Sequence, residues 1–525
     1  MITSNQIGYT TSAEGQSTIH AVDPSTQTPL PGAFHVATEA ETNRAVEKAY
    51  QAWKSYRQES PANRGKFLRQ IAEEIESLGD TLVKRVMAES GLPEGRVKGE
   101  RGRTCNQLRL FATIAEEGSW VEAIIDPALP DRQPMPRVDI RKMLQALGPV
   151  VVFTASNFPL AFSTAGGDTA SALASGCPVI VKAHPSHLGT NALISEAINK
   201  AAQKTGMPDG VFSSLQDGTY SVGTQLVQHP LVKAVAFTGS MRGGMALHQA
   251  AMDREEPIPV FAEMGSTNPV FIMPNKVEQD IEGLATQLAG SVNLGAGQFC
   301  TNPGLLFMIE DDHTAAFTNA LEQAFQGLVP ATMLNEGIYN GFEKQKQSVL
   351  GQEKVSLLFA KDQEAESWKG FPAVATISGQ GFLANPKVHE EVFGPFTLLV
   401  QAKSATELQD IAQKLHGQLT ATIMGIEDQL SDWSDLAMIL EEKVGRLIYN
   451  GVPTGVEVGY AMQHGGPFPA TTDSRFTSVG ADAIKRFARP IAYQNCPETL
   501  LPDALKMDNP LGINRTINGK LEVNS

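Results

Sequence analysis

Residues 148–183 read GPVVVFTASNFPLAFSTAGGDTASALASGCPVIVKA. Two short β-branched runs, GPVVVF (148–153) and PVIVKA (178–183), enclose TAGGDTASALASG, whose small residues predict a tightly packed helix. A third run, AVAFTG (234–239), follows the helical pattern SEAINKAAQKTG. Strands that are apolar on both faces and alternate with helices predict a parallel sheet covered on both sides. Right-handed crossovers make such a sheet doubly wound. Ligands then bind beyond the carboxyl ends of its strands. The segments to read for function are therefore TASNFP, KAHPSH and TGSMRGG.

The same alternation continues downstream. NPVFIM (268–273) and GLLFMI (304–309) flank helical QDIEGLATQLAGSV, and TLLVQA (397–402), TATIMG (420–425) and RLIYNG (446–451) follow. This predicts a second α/β domain. Upstream, Ala45, Ala49 and Trp53 recur at helical spacing, as do Phe67, Leu68, Ile71, Ile75 and Leu78, so the N-terminal part is read as largely helical. Two segments fit neither domain: the Pro-rich and then alternating stretch 125–145, and the tail after Arg489. Each is read either as an arm for subunit contact or as ordinary surface loop. No internal repeat or low-complexity block interrupts the 525 residues.

A net charge of −15 argues against nucleic acid or an anionic membrane as the partner. No run of about 18 apolar residues suggests a membrane span. The polar start MITSNQIGYTTSAEG lacks the apolar core of a signal peptide. The four cysteines, Cys105, Cys177, Cys300 and Cys496, form no CxxC pair and have no His cluster, so neither a zinc site nor a disulfide framework is expected. A reducing cytoplasm is the expected compartment. Cys105 and Cys177, in apolar contexts, are expected to be inert.

Cys300 is different. It stands in GQFCTN (297–302), behind the small-residue run SVNLGAG. It is either a buried thiol filling space or a nucleophile. Three further polar residues stand at strand ends or Gly-rich turns: Asn157 in SNFP, Lys182 in PVIVK and Glu263 in FAEMGSTNP. Each alone is an ordinary turn or cap residue. Together they describe a mechanism. A Cys300 thiolate attacks an aldehyde carbonyl, and the Asn157 amide and the Cys300 backbone N–H stabilise the oxyanion. Hydride passes to a nicotinamide in the dinucleotide domain. Glu263, with a pKa expected to be raised by partial burial, activates water to hydrolyse the thioester. No metal is needed. His184, His187 and His464 show no ligand spacing, so surface or supporting roles are expected of them rather than a metal site or a Cys–His pair. GSMRGG is not a GxGxxG fingerprint.

These motifs resemble the aldehyde dehydrogenase superfamily. The 148–187 stretch is similar to its cofactor-domain core, and FTGS, EMGSTNP, GQFCTNPG and EEVFGP follow in the family's order. Within it, AESGLPEGRVKGERGRTCNQLRLFA (88–112) and PTGVEVGYAMQHGGPFPATTDSRFTSVG (453–480) resemble the 2-oxoglutarate semialdehyde (2,5-dioxopentanoate) dehydrogenases, whose relatives include NADP-dependent long-chain aldehyde dehydrogenases. The resemblance implies a dinucleotide-binding domain (1–124 and 146–262), a catalytic domain (263–485) and a β oligomerisation arm (125–145 and 486–525). It implies a homodimer or homotetramer acting on a small aldehyde. It also implies that Cys300 is the nucleophile, Glu263 the base and Asn157 the oxyanion amide. Lys182 matches the lysine on the adenosine ribose or 2′-phosphate, Gly239 and Ser240 the pyrophosphate region, Glu391 the nicotinamide ribose ligand, and Phe393 a residue beside the nicotinamide.

One departure is informative. The common NAD-type pattern has a glutamate three residues after the lysine, whereas this chain has Lys182-Ala183-His184-Pro185. Without that carboxylate a 2′-phosphate meets no repulsion. NADP is therefore expected beside NAD, with Lys182 and His184 facing the phosphate. No Arg occurs in SSLQDGTYS (213–221) to act as a second clamp. Three functions are weighed: aldehyde oxidation, a CoA-acylating reaction that has no need of Glu263, and a non-catalytic protein on the same fold. For the substrate, the subgroup match favours the dicarbonyl acid over a long-chain aldehyde. No Arg or Lys occurs in 157–171 to hold its carboxylate, which leaves Gln298 or a nearby Ser or Thr. Phe158, Phe162 and Phe299 line an apolar tunnel for a long-chain aldehyde, or are core.

Overall fold

The valine runs pair as their pattern predicts. In this computed structural model, which describes residues 3–361 and 368–523, Val150–Phe153 lies between Val179–Lys182 and Ala234–Thr238, parallel to both. Val152 sits opposite Val181 on one side and Ala236 on the other. Phe212–Leu215 and Val260–Glu263 extend this parallel core in the two directions. The chain therefore builds outward one way from Val150–Phe153, then returns to its other side. The crevice where strand order reverses opens above the ends of Val150–Phe153 and Ala234–Thr238.

The sheet is not wholly parallel. Asn5–Ile7 adds antiparallel to Phe212–Leu215, and Thr10–Ser12 hairpins back onto it. The helical reading of the N-terminal part passed over these short polar strands. Asn5 is held by its side chain, which accepts from Gln216 N–H and donates to the His35 carbonyl. The helical readings themselves hold. Thr38 and Glu41 form a capping box at the start of Glu39–Tyr56. Ser60 and Pro61 open Pro61–Ser77, whose Phe67, Leu68, Ile71 and Ile75 are fully buried in the first domain's core.

The second seven-stranded sheet runs Ser356–Ala360, Ala373–Ser378, Phe396–Ala402, Leu305–Ile309, Val270–Ile272, Gln418–Met424, Val444–Tyr449. All neighbours are parallel except the first pair. After it the chain returns to the first sheet. Glu263 bridges Thr471, and Ala483, Ile484 and Phe487 lie in the first domain's core. The end of the 263–485 range is thus packed into the first domain, so that Glu263 and residues 464–478 face one another.

The two orphan segments pair with each other. Ile140–Ala146 lies between Ala488–Gln494 and Ile124–Asp126, and Arg515–Ile517 and Lys520–Glu522 continue the sheet. They form one five-stranded sheet rather than ordinary surface loop. The positions 1–2, 362–367 and 524–525 of the expected ranges lie outside the described residues. No helix among the described residues is long and apolar enough to cross a membrane.

Candidate active site

Cys300 follows a turn of left-handed backbone. Gly295, Ala296 and Gly297 all have positive φ, 59°, 56° and 66°. At Gly297 a Cβ would collide with the Gly394 carbonyl, so the Cys300 loop lies directly against the EEVFGP turn. Asn268 holds the other side. Its Nδ2 lies 2.9 Å from the carbonyls of both Cys300 and Asn302. Asn268 itself adopts φ 44°, next to Pro269. The EMGSTNP motif therefore supplies Glu263 and also fixes the turn that carries Cys300.

Glu263 ends the edge strand Val260–Glu263 and is buried. Ser478 donates its hydroxyl to Oε2. His464 Nε2 lies 3.0 Å from Oε1 and 3.5 Å from Cys300 Sγ. The three donor atoms of Glu263, Cys300 and His464 all lie within 4.8 Å of one another. His464 was expected to stand outside any Cys–His pair. It forms one, because the return of the chain along Val260–Glu263 brings it there.

The electrostatics correct another expectation. Burial pushes the Glu263 carboxyl up, but His464, the Ser478 hydroxyl and the Arg486 charge together outweigh it and hold the group below its ordinary value. Glu263 is an ionised carboxylate rather than one poised near neutrality. Cys300 moves the other way. Burial first, then the charge of Glu263, hold the thiol well above its ordinary range, with Arg103 opposing. The thiol therefore needs a neighbouring base to lose its proton.

Asn157 lies against the turn that carries Cys300, its amide donating to the Gln298 carbonyl at 3.1 Å. That leaves a second N–H on the same nitrogen. Gln298 is not free for a substrate. Its Oε1 accepts from Leu334 N–H and its Nε2 donates to the Gly295 carbonyl. Phe158, Phe162 and Phe299 form one aromatic cluster beside Cys300, Phe158 packing edge to face on Phe162 at 5.2 Å and on Phe299 at 5.3 Å. Cys105 and Cys177 are buried, and burial pushes both thiols up.

The remaining expected residues lie at strand ends and the turn facing Cys300. Lys182 closes Val179–Lys182 with Nζ 3.3 Å from the Asp217 carbonyl. His184 accepts the Ser186 N–H on Nδ1 and stacks on His187 at 5.5 Å. Burial drives its pKa well below the ordinary value, so it brings no positive charge to a phosphate. Gly239 follows Ala234–Thr238, and Ser240 caps the twelve-residue helix Met241–Met252 by accepting Gly243 N–H. That helix start, with unpaired N–H groups beside the crevice, has the polarity a pyrophosphate requires. Glu391 lies against Gly265, where a Cβ would meet its carboxylate. Phe393 lies on the same turn, partly buried.

Residues 9–467 match the model of the aldehyde dehydrogenase family. The chain belongs to the aldehyde dehydrogenase family. It is 48% identical over 517 residues to alpha-ketoglutaric semialdehyde dehydrogenase 2 of Azospirillum brasilense, covering 98% of each protein. It is 44% identical over 513 residues to alpha-ketoglutaric semialdehyde dehydrogenase of Acinetobacter baylyi, covering 98% of this chain and 97% of that one. The fold is that of 1-pyrroline-5-carboxylate dehydrogenase from Thermus with bound NAD, with a TM-score of 0.78 at 20% identity over 94% and 92% of the two chains. As an aldehyde dehydrogenase this protein is an oxidoreductase. The structure brings Cys300 and Glu263 together with His464, hangs Asn157 on the carbonyl of Gln298, and puts Lys182, Gly239 and Ser240 at strand ends of the first sheet and Glu391 and Phe393 on the turn against Gly297. Sequence reasoning passed over Asn268 and Ser478 in this aldehyde dehydrogenase and gave His464 only a surface or supporting role. Asn before Pro in EMGSTNP was the only local signal among them.

Proposed function

We propose that this aldehyde dehydrogenase oxidises 2-oxoglutarate semialdehyde to 2-oxoglutarate, using NADP or NAD. The observation that carries the substrate is that two relatives matching nearly the whole chain at 48% and 44% identity are named for that aldehyde.

In this reading Cys300 is the nucleophile. Its proton passes to the Glu263–His464 pair beside it and on to solvent, leaving the pair free to accept another, and sulfur bonds to the aldehyde carbon. The oxyanion so formed takes hydrogen bonds from the free Asn157 N–H and the Cys300 backbone N–H. The nicotinamide, when bound, supplies the hydride acceptor. Glu263, ionised and held by Ser478, then takes a proton from water, whose oxygen bonds to the thioester carbon. The C–S bond breaks, the acid leaves and Cys300 is restored. A placed, ionised carboxylate suits hydrolysis better than transfer to CoA. The sequence of steps needs no metal, and a free catalytic thiol suits the reducing cytoplasm.

Lys182, Gly239, Ser240, Glu391 and Phe393 would hold the dinucleotide. His184 is neutral, so attraction to a 2′-phosphate falls to Lys182 alone, and dual use of the two cofactors follows. The arm leaves Ala488–Gln494 and Lys520–Glu522 as open edges and exposes Met135, Leu521 and Val523. These suit pairing with a second copy, as a homodimer or homotetramer. Reduced-cofactor formation with 2-oxoglutarate semialdehyde and with dodecanal tests the substrate. A higher kcat/KM for dodecanal would place the enzyme among fatty-aldehyde dehydrogenases instead.

A further inference from the structure

We infer that Arg103 is the residue that binds the substrate's carboxylate, and this rests on the dicarbonyl-acid reading above. Arg103 lies on the helix Glu94–Glu117, far in sequence from the segment beside Asn157. Its guanidinium lies over the rings of Phe162 and Phe158, 5.3 Å and 5.8 Å from their centroids. Those rings border the nucleophile. Phe158 packs on Phe299, the residue before Cys300, and Phe162 lies 6.2 Å from the His464 ring. The charge of Arg103 acts directly on the Cys300 thiol.

What marks Arg103 is an unmet need. Its Nε and Nη2 are buried and have no hydrogen-bond partner, and it makes no ion pair among the described residues. A desolvated guanidinium without a counter-charge is costly, and the cost is removed when an anion joins it. Its neighbour Arg96 is already paired, at 3.4 Å from Glu100. Glu100 also accepts N–H groups from Leu160 and Ala161 through its other oxygen, so it serves the loop after Asn157 rather than Arg103. Exposed Glu457 and the partly buried Cys300 are the remaining groups whose charge raises Arg103's basicity.

A second cation faces the same cleft from the other domain. Arg446, on Val444–Tyr449, also acts on the Cys300 charge and keeps a buried Nε without a partner. Its Nη groups hold Met462 Sδ and the carbonyls of Pro453 and Gly455, so it orders the neighbouring loop while adding positive potential. The Arg103 fork is the one left free. A planar guanidinium donates two parallel hydrogen bonds to a carboxylate. In 2-oxoglutarate semialdehyde the carboxylate lies four bonds from the aldehyde carbon, so one end can meet Arg103 while the other meets Cys300. The aromatic platform then covers the methylenes between them.

The test is steady-state kinetics of the parent, Arg103→Met and Arg103→Lys with 2-oxoglutarate semialdehyde and with pentanal, which has the same chain length and no carboxylate. The ratio of kcat/KM for the keto acid to that for pentanal should fall about a hundredfold in Arg103→Met, mostly through KM, because a charged group is left unpaired. Arg103→Lys should recover part of it. Calorimetry should show binding of 2-oxoglutarate to the parent and its loss in Arg103→Met, with the melting temperature confirming a folded variant. An unchanged ratio, or an equal fall for both aldehydes, in a parent that prefers the keto acid overturns the assignment of Arg103 alone. A parent that prefers pentanal overturns the substrate reading, and the assignment with it.

Discussion

His464 Nε2 stands 3.5 Å from Cys300 Sγ and 3.0 Å from Glu263 Oε1, so one imidazole touches both the thiol and the carboxylate. Burial keeps that thiol protonated well above its ordinary range. A neighbouring base must therefore take the proton at neutral pH. Replacing His464 by Asn should lower kcat/KM about a hundredfold, the usual worth of a placed proton acceptor. Alkylation of Cys300 by iodoacetamide, which carries no charge, should slow in parallel at pH 7 and recover at high pH. Unchanged alkylation at pH 7 would show that Glu263 alone accepts the proton.

Asn268 is the tie between the Glu263 motif and the Cys300 turn. Asn268→Ala removes hydrogen bonds to the carbonyls of Cys300 and Asn302 and leaves both buried. Each buried polar group left unsatisfied costs about 1–3 kcal/mol. Urea unfolding should show a loss of about 2–6 kcal/mol for the two carbonyls together. The turn should also loosen, so that kcat falls more than KM rises. A variant of parental stability with only KM altered would refute this role.

Glu391 gives a pH dependence. Burial pushes its carboxyl up from 4.5 to about 7, against a smaller opposing hydrogen bond from Ser266. The folded state thus keeps a proton that the unfolded chain releases. The contribution to stability is fully present below pH 4.5, declines as pH rises from 4.5 to 7, and is gone above 7. Glu391→Gln does not titrate. Its melting temperature relative to the parent should rise between pH 4.5 and 7 and level off above. A difference that stays constant from pH 5 to 8 would contradict the burial of this carboxyl.

Lys182 is the one cation expected at a 2′-phosphate, since His184 is held neutral. Lys182→Ala should therefore lower kcat/KM for NADP more than for NAD, by about tenfold in the ratio, the worth of one charge-assisted hydrogen bond. His184→Gln should leave the ratio unchanged. If instead His184→Gln shifts it as strongly as Lys182→Ala, the imidazole carries charge in the complex.

The sequence by itself determined the layers. Runs such as VVVF and VIVK, apolar on both faces and alternating with helices, call for a parallel sheet covered on both sides, and the small residues of Gly167–Ser175 let a helix lie close against it. Those are local properties, legible wherever the chain is read. The strand ends and the turn that carry Asn157, Lys182, Glu263 and Cys300 followed from the same pattern. Short polar Asn5–Ile7 escaped because its pairing is supplied by a strand more than 200 residues away. The tertiary structure alone decided who stands beside Cys300. His464 is 164 residues from it in sequence, and Arg103 comes from a helix before the first valine strand. No local pattern encodes such meetings. They arise because two sheets and a returning segment bring distant side chains into one cleft. The same contacts set the charges, leaving Glu263 ionised where burial alone would have raised it.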